Sequence, residues 1–356
     1  MGALIPPSDD QGLGAGYHSP QVVVDVRLNT NESPYPPPPA FVEALAAELA
    51  VIAFNRYPDR KAWALRTSLG QLHRVGPEQV FVANGSNEVL QTLLVTYGGP
   101  GRQAAVFEPT YALHSHLARL TRTGLWVGER QPDFRLDVGE VKRAAAEADP
   151  AVTFLCSPNN PTGGAEPGAV VEEVLDLAPG LVVVDEAYGQ FAPWSALALV
   201  GDDVGLVVVR TYSKTWSMAA ARLGYLVGPA PVVAALERRA LPYHLDAVKQ
   251  AAGRLALRFT AEMESRVAAV KDERERVLGA LRDLAVETWP SDANFVLIRP
   301  GAPEGREVWS GLVERSVLVR DVGGWPRLAG CLRVTIGTPA ENDAFLAALA
   351  EVLEPT

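Results

Sequence analysis

The chain has 356 residues, 48% of them apolar and 21% charged, with a formal charge of −10 at pH 7. This is the composition of a soluble globular protein, long enough for one large domain and a smaller one. The acidic balance excludes a nucleic-acid surface, which needs clustered Lys and Arg, and two cysteines, Cys156 and Cys331, exclude a disulfide framework.

No basic patch and apolar core mark a signal peptide, and no apolar run approaches membrane-spanning length. Pro6 stands where a myristoylation signal needs Ser or Thr. A cytoplasmic protein is expected.

Residues 1–20, rich in Gly, Pro, Ser and Asp, are expected to form a flexible arm. Gly12, Gly14 and Gly16 lack the strand before and helix after that a dinucleotide loop requires. RLNTNESPYPPPP at 27–39 is extended and ends in polyproline character. Helices follow at about 40–53 and 62–73, with the turn-forming Asn55-Arg56-Tyr57-Pro58-Asp59 between them. The strand Val80–Ala83 then runs into Asn84-Gly85-Ser86-Asn87, where Ser86 or Asn87 can cap the next helix and a helix N-terminus makes an anion site.

Further apolar strands end in polar groups. Ala104–Phe107 leads to Tyr111, Val152–Cys156 to Ser157 and NNPTG at 159–163, Leu181–Val184 to Asp185-Glu186-Ala187-Tyr188, and Val207–Val209 to Ser213-Lys214. His114 and His116 share neither a helical face nor a known ligand spacing, so no metal is expected. Arg222–Val227 supplies another strand. Helices are expected at 230–241 and, as one long amphipathic element, at about 246–281. From about 285 the order reads strand, strand, helix, strand, helix. Strands alternating with helices predict a mainly parallel sheet flanked by helices, α/β, with a smaller α+β domain. The expected divisions are the arm at 1–20, an extended segment at 21–39 packing with the small domain, the large domain at 40–284 and the small domain at 285–356.

Parallel neighbouring strands bring their C-terminal ends to one edge. An amine, a carboxylate at the end of a buried strand, phenols, an amide and a helix N-terminus there suit pyridoxal 5'-phosphate. A lysine forms the Schiff base, an acid keeps the pyridine nitrogen protonated, and hydroxyls, an arginine and backbone N–H groups hold the phosphate.

NNPTG at 159–163, DEAY at 185–188, and Ser213-Lys214 with Arg222 eight positions later resemble the fold-type-I aminotransferases, from Leu28 to the C-terminus. Within them the chain is similar to the histidinol-phosphate branch, particularly its actinobacterial members. The stretches that carry this are RLNTNESPYPPPP, NRYPD, ANGSNEVLQ, LPYHL at 241–245, SDANFVL and VLVRDVG. The resemblance implies that Lys214 bonds the cofactor and moves the substrate proton, and that Asp185 pairs with the pyridinium nitrogen. It implies Asn160 and Tyr188 at the ring oxygen and Tyr111 stacked on the ring. Ser86, Asn87, Ser213 and Arg222 would hold the phosphate, with Thr211 nearby and Tyr57 reaching in from the partner of a homodimer. Arg333 matches a grip on the substrate α-carboxylate and Arg320 one on the substrate phosphate, with Tyr35 and Tyr243 lining the substrate side.

Two stretches depart from the common pattern: Val322-Gly323-Gly324-Trp325-Pro326-Arg327, between the two arginines, and the bulky Thr215-Trp216 after Lys214. Trp325 could favour an aromatic side chain, so an aromatic or secondary-metabolite aminotransferase is the nearest competing expectation. A threonine-phosphate decarboxylase shares the ring-binding motifs. A catalytically silent regulatory domain would need a nucleic-acid module that the short arm cannot supply.

Overall fold

The structure, a computed structural model, describes residues 21–354. The arm expected at 1–20, with its three closely spaced glycines, lies outside them. In chain order, β1 (Val26–Leu28), α1 (Pro39–Val51) and α2 (Trp63–His73) come first. Next come β2 (Val80–Ala83), α3 (Ser86–Tyr97), β3 (Gln103–Glu108), α4 (Ala112–Leu120), β4 (Gly124–Glu129) and α5 (Val138–Ala148). They are followed by β5 (Val152–Cys156), α6 (Gly168–Leu177), β6 (Leu181–Asp185), β7 (Leu206–Thr211) and β8 (Gly224–Val227). Helices α7 (Ala230–Glu237), α8 (Ala247–Ala256) and α9 (Thr260–Leu281) lead to β9 (Val286–Thr288), β10 (Phe295–Pro300), α10 (Gly305–Glu314), β11 (Val317–Asp321), β12 (Leu332–Thr335) and α11 (Pro339–Leu353).

The larger sheet has seven strands in the order β2-β8-β7-β6-β5-β3-β4. Strands β3 to β7 pair in parallel, and β8 runs antiparallel to both its neighbours. Every residue of β5, β6 and β7 is buried, which explains their unbroken apolar runs: both faces are covered by helices. The period of two then sorts them. Val207 and Val209 join Leu181 and Val183 in the core on one face, while Leu206 and Val208 join Val182 and Val184 on the other.

The smaller sheet runs β1-β11-β12-β10-β9. Its edge strand β1 comes from the N-terminal segment and pairs in parallel with β11, Arg27 opposite Leu318. Beyond residue 285 there is one strand more than the sequence pattern suggested, because the loop at 322–331 separates β11 from β12, and β1 adds a fifth strand to the sheet.

Two helical expectations are corrected. The segment expected at 230–241 stops at Glu237, where the Arg239 and Ala240 N–H groups both donate to the Leu236 carbonyl and close the last turn. The long helix is two, α8 and α9, joined by a tight turn at Leu257–Phe259. There Phe259 packs edge-on against Phe41 of α1, with ring centroids 6.0 Å apart.

Candidate active site

The C-terminal ends of β2, β3, β5, β6 and β7 reach one edge of the larger sheet, and β8 begins there. Two glycines let the backbone close up at that edge. Gly85, at φ +86°, turns the chain from β2 into α3, in a conformation that costs other residues strain. A Cβ on Gly224 would lie 2.2 Å from the Ser86 nitrogen, so only glycine lets β8 pass so near the start of α3.

Gly85 occupies the N-cap position of α3 and no side chain caps it, which corrects the expectation that Ser86 or Asn87 would. Glu88 instead accepts a hydrogen bond from the Asn84 N–H at 2.8 Å. Ser86 and Asn87 therefore face a cavity of ≈ 430 Å³ at the head of the helix. Thr211, Ser213 and Arg222 line the same end. The Thr211 hydroxyl donates to Ser213 Oγ at 2.9 Å, and Arg222 Nη1 lies 3.4 Å from that Oγ. Hydroxyls, one guanidinium and the positive end of a helix dipole make this the anion end.

Asp185 forms the floor, 1% exposed. Its Oδ1 accepts the Ala187 N–H at 3.1 Å, and its Oδ2 lies 3.1 Å from His114 Nε2. The His114 ring stacks on Phe154 of β5 at 4.7 Å. In the sequence His114 was weighed only as a metal ligand. The signal lay in its spacing, three residues after Tyr111 on one helical face, but its partner stands 71 residues away.

Lys214 opens onto the cavity, and its Nζ donates to the Thr30 carbonyl at 2.9 Å and stands 5.9 Å from the Tyr188 ring centroid. Removal from water, then the Arg333 guanidinium, bring its amine down to about 7; Glu32 opposes this and Arg222 adds to it. The Tyr188 hydroxyl accepts from Asn31 Nδ2 at 2.9 Å. Asn160 Oδ1 accepts from Arg333 Nη1 at 2.6 Å, and Arg333 Nη2 donates to the Asn29 carbonyl at 2.8 Å. The 27–39 stretch thus supplies backbone acceptors for both the lysine and the arginine, which its motif alone did not indicate. Tyr111 completes the wall.

Arg320 is buried on β11 directly opposite Arg333 on β12, so the two side chains leave the same face of the sheet. Adjacent positive charges favour an anion between them. Three tyrosines are not among the residues lining the cavity. Tyr35 is half-buried against the main apolar cluster. Tyr243, at φ 57°, stacks on Tyr57 with centroids 4.6 Å apart; both are exposed and belong to the surface of this chain. Trp325 packs with Phe134 and Leu328 rather than entering the cavity.

The donor set fits pyridoxal phosphate. Its phosphate dianion matches the hydroxyl and guanidinium end, its pyridine nitrogen the buried carboxylate, its aldehyde an amine near neutrality, and its flat ring the Tyr111 wall.

Comparison with known proteins agrees. The family model described as "Aminotransferase class I and II" matches residues 24–349. The chain is 46% identical to the histidinol-phosphate aminotransferase of Thermobifida fusca (strain YX) over 355 residues, covering 97% of this chain and 95% of that protein. It is 47% identical to the enzyme of that name from Frankia casuarinae, covering 95% and 87%. The crystal structure of histidinol-phosphate aminotransferase from Sinorhizobium meliloti in complex with pyridoxal-5'-phosphate superposes with a TM-score of 0.85 at 22% identity, over 99% of this chain and 95% of that one.

Proposed function

The chain belongs to the aminotransferase class I and II family, and we propose that it is a pyridoxal-phosphate-dependent enzyme that interconverts L-histidinol phosphate and 2-oxoglutarate with imidazole-acetol phosphate and L-glutamate. The observation that carries this reading is the meeting of the Lys214 amine, the buried Asp185 and Arg333 around one cavity, with Arg320, outside that lining, opposite Arg333 on the neighbouring strand. The names of the relatives support the substrate.

Ser86, Asn87, Ser213 and Arg222 would hold the cofactor phosphate, with Thr211 ordering the Ser213 hydroxyl. Asp185, fixed by His114 and the Ala187 N–H, would hold a proton at the pyridine nitrogen. When bound, the cofactor offers an aldehyde to amino groups and a ring that draws electrons from the substrate α-carbon. Lys214 moves the proton at that carbon, work for which an amine near 7 is matched to neutral pH. Asn160 and Tyr188 orient the ring through its oxygen. Arg333 takes the α-carboxylate of glutamate, where a planar guanidinium suits two-point binding, and Arg320 takes the substrate phosphate.

A second copy of the chain completes the site in this reading. Val51, Phe54, Tyr57 and Leu241 are exposed apolar side chains, and the Tyr57–Tyr243 stack ties their two segments together. Such a patch suits a homodimer in which Tyr57 reaches the partner's phosphate end. A cytoplasmic location suits two buried, unbridged cysteines, and no helix among the described residues is long and apolar enough to cross a membrane.

The test is a half-reaction followed through the visible absorbance of bound cofactor, with L-histidinol phosphate and L-phenylalanine side by side. Strong preference for the phosphorylated amine is expected, and Arg320→Ala should abolish that preference while leaving phenylalanine little changed. Equal or better reaction of the wild type with phenylalanine would overturn the substrate assignment. Lys214→Ala should transaminate nothing.

A further inference from the structure

The loop at 322–331 between the two substrate arginines is where the sequence leaves its family's common pattern, and it holds a contact the reaction does not explain. Arg327 sits at φ 61°, a conformation that non-glycine residues hold only where their surroundings enforce it. Its guanidinium crosses from the smaller sheet to the main chain just past β4. Nη1 donates to the Arg130 carbonyl and Nη2 to the Gln131 carbonyl at 3.2 Å. It also stands over the Phe134 ring, 5.9 Å from its centroid. Phe134 is itself set into the apolar cluster of Leu297, Val322, Leu328 and Cys331.

The receiving side is buried and hydrogen-bonded. Arg130, buried, donates to the Phe107 carbonyl at 3.2 Å, to the Phe134 carbonyl at 3.1 Å and to the Glu166 carboxylate. The Glu166 N–H donates to Ser157 Oγ at 2.9 Å, which ties this network to the loop carrying Asn160. Asn160 in turn accepts from Arg333. The contacts close a ring: Arg327, the 130–131 backbone, Glu166, the Asn160 loop, Arg333 on β12, and back along the chain to Arg327. The exposed Glu129, 4.0 Å from Nη1, adds little, because solvent screens such a pair.

We propose that Arg327 is a positioning residue that fixes the β11–β12 hairpin, and with it Arg320 and Arg333, at the depth where both guanidinium groups meet the anionic groups of the substrates. This rests on the reading that those two arginines bind substrate. A planar fork is required, because two successive carbonyls must be held at once; a single ammonium reaches them less well. Arg327 is not among the residues lining the cavity, so its loss acts through the placement of Arg320 and Arg333 and falls on substrate binding.

The experiment compares full-length, cofactor-loaded wild type with Arg327→Met, which keeps bulk over Phe134, and with Arg327→Lys. The Met variant is expected to raise KM for both L-histidinol phosphate and 2-oxoglutarate about tenfold, with kcat within about twofold and the cofactor spectrum unchanged. The Lys variant should recover part of the loss. Backbone amides at 317–335 should exchange with deuterium faster in the Met variant, without substrate present. Unchanged KM, or a fall in kcat alone, overturns the proposal. If the wild type does not use L-histidinol phosphate, the functional reading fails instead. Amide exchange then decides Arg327 on its own, and equal rates at 317–335 in wild type and Met variant sink it.

Discussion

The environment of Lys214 changes its chemistry. Its ordinary value of 10.5 falls to about 7, burial first and Arg333 second. The sign sets the prediction: below about 7 the free amine carries a proton and cannot attack an aldehyde, and above it the amine is neutral. The rate at which cofactor-free protein captures pyridoxal phosphate should therefore climb through pH 7 and level off by about pH 8, one unit above the midpoint. Stopped-flow absorbance reads this directly, and a midpoint near 10 would refute the burial account. Asp185 permits a second test. Asp185→Asn keeps the shape but loses the charge facing the pyridine nitrogen, so kcat should fall on the order of 10²–10³ while cofactor stays bound. Both residues were legible because each stands at, or just past, the end of an apolar strand. His114 was not, since a histidine inside a helix reads as packing until the carboxylate it meets is placed. Tyr35 and Tyr243 lie outside the cavity lining of this chain, which the sequence could not show: a motif gives a residue's neighbours in sequence, not the direction its ring takes.

At the scale of elements, the cradle depends on how closely β8 passes the start of α3. A Cβ on Gly224 would strike backbone of Ser86 and Gly85, which cannot swing aside as a side chain can. Gly224→Ala should cost about 1–3 kcal/mol, as overpacking does, and loosen the cofactor phosphate end. Thermal unfolding with and without added cofactor checks both effects. Gly279→Ala is the matched control. It lies in α9 with nothing within 4 Å of its added methyl, so it should stabilise by about 0.4–1 kcal/mol. Strands β5, β6 and β7 were readable because burial on both faces leaves unbroken apolar runs. The break at Leu257–Phe259 was not, because the Phe41 ring that Phe259 packs against lies more than 200 residues earlier in the chain. Strand β12 was missed because four residues beyond an irregular loop carry little periodic signal.

For the molecule as a whole, the exposed apolar side chains bear on the proposed dimer. Tyr57 is 81% exposed and does not line the cavity of its own chain, yet it stacks on Tyr243 amid other exposed apolar side chains. If the patch seats a second copy, each site draws Lys214 from one protomer and Tyr57 from the other. Complementation separates this from a site built within one chain. Lys214→Ala is inactive for want of the amine, and Tyr57→Ala should lose cofactor on dialysis for want of the hydroxyl at the phosphate end. When the two variants are mixed and their subunits allowed to exchange, half the dimers are hybrids. Each hybrid carries one site with both groups and one with neither, so activity should return to about a quarter of the wild-type value. Were Tyr57 to serve its own chain, every site in the hybrid would lack one group or the other, and mixing would restore nothing. Subunit exchange followed by mass spectrometry of the intact dimers shows that hybrids have formed, so that failure to recover activity is evidence against the shared site.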